Sequence, residues 1–215
     1  MKKTLLLLAL LASAAFSHAQ KELSKDYSYT VSAPYKVFDA EEKLYFFKDG
    51  QIMTVKIDDK EIMIQKLNAE GEKVAFVSEK LFETKKLFQK NFHNEGVLEF
   101  DNKYFYFYSS WDGDNDKEQL FCREIDFATS EFGAEQLLFR VDGKVTGTMV
   151  GNGFSMEVQD KFRFLLSADN KKMMIQYRKK PEVKGDKKSW DIIGVNAYDS
   201  NMKQVWSNEL KMPYT

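Results

Sequence analysis

The residues best placed to do chemistry form one acidic loop, Asp112-Gly113-Asp114-Asn115-Asp116, with Trp111 at its edge. Three carboxylates at i, i+2 and i+4 on a flexible loop are the hard oxygen donors that calcium selects. The match to a helix–loop–helix calcium motif fails further on. Its sixth position is Lys117 rather than glycine, and its twelfth is Arg123 rather than glutamate. A solvated hairpin loop is therefore the expected role of Asp112, Asp114 and Asp116, with calcium the one cofactor the sequence suggests. Trp111 offers an apolar plane with a polar edge, suited to stacking on a sugar ring or anchoring a protein partner, and equally to capping a core edge.

Other chemistries are poorly supplied. Cys122 is the single cysteine, so no intrachain disulfide forms, and its place between Phe121 and Arg123 reads as a small buried hydrophobe. The chain has 2 histidines. His18 lies in the leader described below and His93 lies between predicted repeats, so a histidine-built metal site is not expected. No Gly-x-Ser-x-Gly elbow occurs, and Gly151-Asn152-Gly153 lacks a Walker lysine. Carboxylates paired across sheets stay open as an acid–base device. Arg178-Lys179-Lys180 with Lys184, Lys187 and Lys188 is locally basic and suits anionic lipid or glycan. Glu182 and Asp186 interrupt it, which favours a solvated loop.

The elements that carry these residues are strands. Residues 97–140 hold the clearest set. Val97–Phe100 is a short apolar run and Asp101-Asn102 closes a tight turn. Five consecutive aromatics, Tyr104 to Tyr108, then form a strand with bulk on both parities, hence covered on both faces. Leu120–Ile125 and Gln136–Phe139 complete a four-stranded meander. A similar unit spans about 44–78, with turns at Asp49-Gly50, 58–60 and 68–71. A third spans about 161–210, turning at Asp169-Asn170 and 199–201, with the polar insertion 179–189 inside it. Residues 79–95 suit either a helical turn or an extended segment. The Gly-rich stretch 141–153 reads as a connecting loop with at most one short strand.

Four strands repeated at a period of roughly 50 residues or more describe β-propeller blades. The expected fold class is therefore all-β: consecutive four-stranded antiparallel meanders, about three blades of an incomplete propeller within residues 35–215. Rings close with about 4–8 blades. Three imply either the N-terminal part of a longer protein or completion by self-association.

Residues 1–19 read as a secretory signal peptide. Lys2-Lys3 precede the apolar run Leu5–Ala15, and Ser17-His18-Ala19 is a small-x-small cleavage site. The apolar run is too short for a membrane span of about 20 residues. No cysteine follows the cleavage site, so a lipid anchor there is not expected. Residues 20–34 form a polar lead-in. Removing the leader takes two lysines from the chain's 32 basic residues and none of its 33 acids, which moves the net charge from −1 to −3. That balance carries no footprint for nucleic acid.

The segment FLLSADNKKMMIQYRKK, 164–180, resembles the strand–Asp-turn–strand unit of propellers, including the repeats of periplasmic TolB-like proteins. With FYSSWDGDNDKEQLFCREID (107–126), the Lys-rich insertion and VWSNELKMPYT (205–215), the run from Lys103 to Thr215 is similar to large secreted bacterial propeller-type proteins of uncharacterised function, and the resemblance as a whole covers about residues 40–215. The resemblance implies a fold and no catalytic residues. The expectation is a secreted or periplasmic non-enzymatic module that binds a protein or glycan through loops at one end of the blades. The alternatives are a hydrolase-type propeller enzyme whose site is completed by missing blades, and a structural component of the cell envelope.

Overall fold

A computed structural model describes residues 39–58, 61–68, 73–79, 92–152, 155–180 and 190–212. Every regular element among them is a β-strand and every pairing is antiparallel. No helix of the described residues is long and apolar enough to cross a membrane.

Three four-stranded meanders follow one another. The first contains β1 (Glu42–Lys48), β2 (Gln51–Ile57), β3 (Ile62–Leu67) and β4 (Lys73–Glu79). The second contains β5 (Phe92–Phe100), β6 (Lys103–Asp112), β7 (Lys117–Ile125) and β8 (Phe132–Asp142). After the short β9 (Val145–Thr146) and the hairpin of β10 (Thr148–Asn152) and β11 (Ser155–Gln159), the third contains β12 (Phe162–Leu166), β13 (Lys172–Lys179), β14 (Ile192–Asp199) and β15 (Gln204–Lys211). β9 pairs with β13, and each sheet is open-ended rather than closed on itself.

Turn chemistry sets the registers. Asp49 and Gly50 both take positive φ (49° and 71°), as do Asp101 and Asn102 (51° and 61°). These are two-residue hairpins whose backbone twist matches that of the flanking strands, and they lock Lys48 opposite Gln51 and Phe100 opposite Lys103.

The aromatic run on β6 then sorts by parity. Tyr104, Tyr106 and Tyr108 pack with Met53, Val55, Ile57, Ile62 and Ile64 of the first sheet. Phe105 and Phe107 pack with Phe162, Met173, Ile175 and Tyr177 of the third. The middle sheet is thus sandwiched, which is why its strand shows no polar parity. Lys66 of β3 donates to the carbonyls of Phe127 (2.9 Å) and Ala128 (2.8 Å) in the β7–β8 connection, fastening the first sheet to the second. At the turn end, Lys171 pairs with Asp101, tying the third sheet to the second. The third sheet's other face is different. Met174, Trp206 and Leu210 are 36%, 51% and 45% exposed, although hydrophobic.

Two stretches depart from the sequence reading. β5 begins at Phe92, five residues before the apolar run at Val97, so residues 92–95 take the extended alternative, with Phe92 buried against Tyr108 and His93, Asn94 and Glu95 polar. The Gly-rich stretch 141–153 is mostly strand rather than loop. Gly147 has its backbone so close to Gln159 that an added Cβ would lie 2.1 Å from the Gln159 carbonyl oxygen, so glycine there marks close strand approach. The leader, the polar lead-in and most of the 179–189 insertion lie outside the described residues.

Candidate functional site

At the end of the middle sheet where β5 begins and β6 ends, the pairing slips. Asn94 faces Tyr108 and Gly96 faces Phe107, which leaves Glu95 as an extra residue in a bulge. Gly96 has φ +112°, a conformation that side-chain-bearing residues rarely adopt. Asn94 stabilises the bulge. Its Oδ1 accepts from the Gly96 N–H (3.1 Å) and its Nδ2 donates to Glu42 on β1 (2.8 Å). Gly96→Ala meets no clash, since nothing lies within 4 Å of the added Cβ, but the backbone strain costs on the order of 1–3 kcal/mol. A urea melt of that variant is expected to show a loss of this size, together with a shifted Glu95 environment.

The bulge delivers Glu95 to a buried polar chain. The Ser109 hydroxyl donates to Glu95 Oε1 at 2.6 Å. Lys161 Nζ donates to Ser109 Oγ at 3.3 Å and to Glu118 Oε1 at 2.9 Å. Ser109 is fully buried, and the Lys161 and Glu118 side chains are only 5% and 4% exposed. Ser109 comes from β6, Glu118 from β7, and Lys161 from the residue before β12, so the cluster lies where the second and third sheets meet. His93 sits directly across from Ser109 in the β5–β6 register, within a strand rather than between repeats.

Electrostatics single out Glu95. Burial of its carboxyl raises its pKa from 4.5 to about 7. The Ser109 hydrogen bond and the Lys161 charge pull the other way, while Glu118 and Asp160 add to the rise. The residue as a whole keeps partial solvent access. A carboxyl poised near neutrality and aligned by a hydroxyl is equipped to give or take a proton at pH 7.

The residues the sequence points to lie on the rim of this cluster. Trp111 is half-buried, faces Glu118 across the β6–β7 ladder, and has the Lys144 ammonium 5.2 Å from its ring. Asp112 is occupied within its own loop. It accepts from the Asp114 N–H (3.2 Å), the Asn115 N–H (3.3 Å) and Asn115 Nδ2 (2.8 Å), bonds that hold its pKa below the usual carboxylate range. Asp114 and Asp116 are exposed, and Asp116 takes φ 52° at the loop's end. Among the described residues, no three His, Cys, Asp or Glu side chains converge as a metal site would require. Arg178 and Lys179 are engaged in ion pairs with Asp191 (2.7 Å) and Glu209 (2.7 Å).

Cys122 is buried between the second and third sheets, and burial pushes its thiol up to about 12, with Glu124 adding to the shift. It is expected to resist alkylation at pH 8 in the folded protein and to react fully once unfolded, as thiol titration in urea would show. Sequence reasoning did not find Glu95, Ser109, Glu118 or Lys161. The available signals were Ser109-Ser110 interrupting an aromatic strand and a Glu-Gly pair within a polar strand start.

No protein-family model matches this chain, and no curated protein matches it. Among solved structures, the chain is similar to an endo-arabinase from Bacteroides thetaiotaomicron, with 12% sequence identity and a TM-score of 0.42. The match covers 83% of this chain and 62% of the arabinase, so the chain spans under two thirds of that protein's length.

Proposed function

We propose that this chain is part of a secreted β-propeller-type enzyme of the hydrolase kind, with Glu95 as the group that moves the proton. The observation that carries the reading is the buried Glu95–Ser109–Lys161–Glu118 chain, set where two stacked sheets meet and bordered by the half-exposed Trp111. A hydrolase needs a positioned acid–base group that titrates near neutrality, and the Ser109 hydrogen bond and the burial of Glu95 support that role. Three successive four-stranded meanders, the middle one covered by both neighbours, support propeller-type stacking. The exposed Met174, Trp206 and Leu210 mark the face on which a further sheet would continue the stack. The apolar leader supports export.

The test is turnover by the whole secreted gene product on chromogenic esters, phosphates and glycosides between pH 5 and 9. Hydrolysis that collapses in E95Q upholds the reading. A second reading, a non-enzymatic module binding a glycan or protein, is favoured by Trp111. It would prevail if no substrate turns over while a polymer ligand changes tryptophan fluorescence and Trp111→Ala abolishes that change.

A further inference from the structure

Lys161 links the two carboxyls of the cluster, directly to Glu118 and through Ser109 to Glu95. Its ammonium forms a nearly fully buried ion pair with Glu118 and also donates to Ser109 Oγ. Because the Ser109 oxygen receives that donor, the hydroxyl proton is directed to Glu95. The groups that act on Glu95 are Ser109 from β6, Glu118 from β7, and Asp160 and Lys161 from the segment before β12; His93 lies two residues before it on its own strand, across from Ser109. Charges held this close with little water between them act strongly on one another.

We propose that the Glu118–Lys161 ion pair is a positioning unit for Glu95: Lys161 orients the Ser109 hydroxyl toward it, and the two opposed charges of the pair balance each other at that carboxyl. The pair lies within a chain of hydrogen bonds that ends on Glu95, and its two charges act on that carboxyl with opposite sign. The Glu118 anion favours the protonated form and the Lys161 cation favours the ionised form. Neither residue need touch substrate. The inference extends the acid–base reading of Glu95, but it concerns a titration that exists whether or not the protein turns anything over.

The experiment is a carboxyl-carbon NMR titration of the full chain with labelled glutamate, the Glu95 signal being assigned by its loss in E95Q. Three variants decide it. E118Q removes the anion and leaves the cation, so the Glu95 midpoint is expected to fall by about one pH unit, a tenfold change in proton affinity. K161M removes the cation and leaves the anion, so the midpoint is expected to rise by about the same amount. The double variant E118Q/K161M removes both charges together and is expected to return close to the wild-type value, with the buried site left without an uncompensated charge. Breaking a buried pair by one partner can unfold a protein. Should one single variant fail to fold, the other single variant read against the double supplies the sign. A merely structural role would open the site in every variant and move Glu95 downward each time, most in the double. That outcome, or no movement in any variant, overturns the proposal. Absence of turnover on every substrate would sink the acid–base function while leaving this titration intact, so the two failures are told apart.

Discussion

Glu95→Gln is expected to lower turnover by roughly 10²–10⁴-fold, the usual contribution of a general acid or base, while leaving the protein at least as stable above pH 7. The two effects have one cause. In the folded wild type, burial keeps the Glu95 proton bound up to about pH 7, whereas in the unfolded chain it leaves near the ordinary value of 4.5. Between those pH values the folded state binds more protons. Stability contributed by this group is therefore present at low pH and is lost as pH rises through that window, levelling off above about 7. Glutamine has no proton to release, so the decline of thermal stability across this window should be shallower in the variant than in the wild type. Activity lost without that change in the stability profile would mean that Glu95 is not the titrating group. A buried group that costs stability when charged is the pattern expected of a working residue.

Phe107→Ala is expected to cost about 3–5 kcal/mol, the range for emptying a fully buried aromatic site. Phe107 has no exposed surface, and its ring centroid lies 4.5 Å from that of Phe164 on β12. It belongs to the apolar layer that fastens the third sheet to the second, and through that layer it supports the approach of Lys161 to Glu118. Equilibrium urea unfolding measures the loss. The control is Phe47→Ala on β1, where the side chain is 70% exposed and the change should stay within about 0.5 kcal/mol. Equal costs at the two positions would mean that the second and third sheets do not share a core.

The strands were legible from the chain because their signals are local. Asp49-Gly50 and Asp101-Asn102 tolerate left-handed backbone, and both pairs adopt it. The run from Tyr104 to Tyr108 could not hide its bulk on one face, so both faces had to be covered. β10 and β11 escaped notice because Gly147 and Gly151 carry no side-chain pattern, and their pairing is a matter of backbone approach. The first half of β5 was open between a helical turn and an extended segment, since His93, Asn94 and Glu95 show no apolar alternation, and it is extended.

The candidate site divides in the same way. Trp111 and the Asp112–Asp116 loop stood out because acidic residues clustered along a chain are visible as such. The hydrogen bonds of Asp112 turn out to be spent within the loop. Glu95 stays inconspicuous until the Gly96 bulge places it beside Ser109, and Glu118 until Lys161, 43 residues away in sequence, closes on it.

The sequence by itself determined an all-β chain of tight hairpins with aromatic layers, because hairpin turns and side-chain parity depend on near neighbours alone. Only the tertiary structure decided which carboxyls are buried, which lysine neutralises Glu118 and that burial raises the pKa of Glu95. Those properties arise from desolvation and from charges brought together by sheet stacking, and neither exists in the chain before the sheets meet.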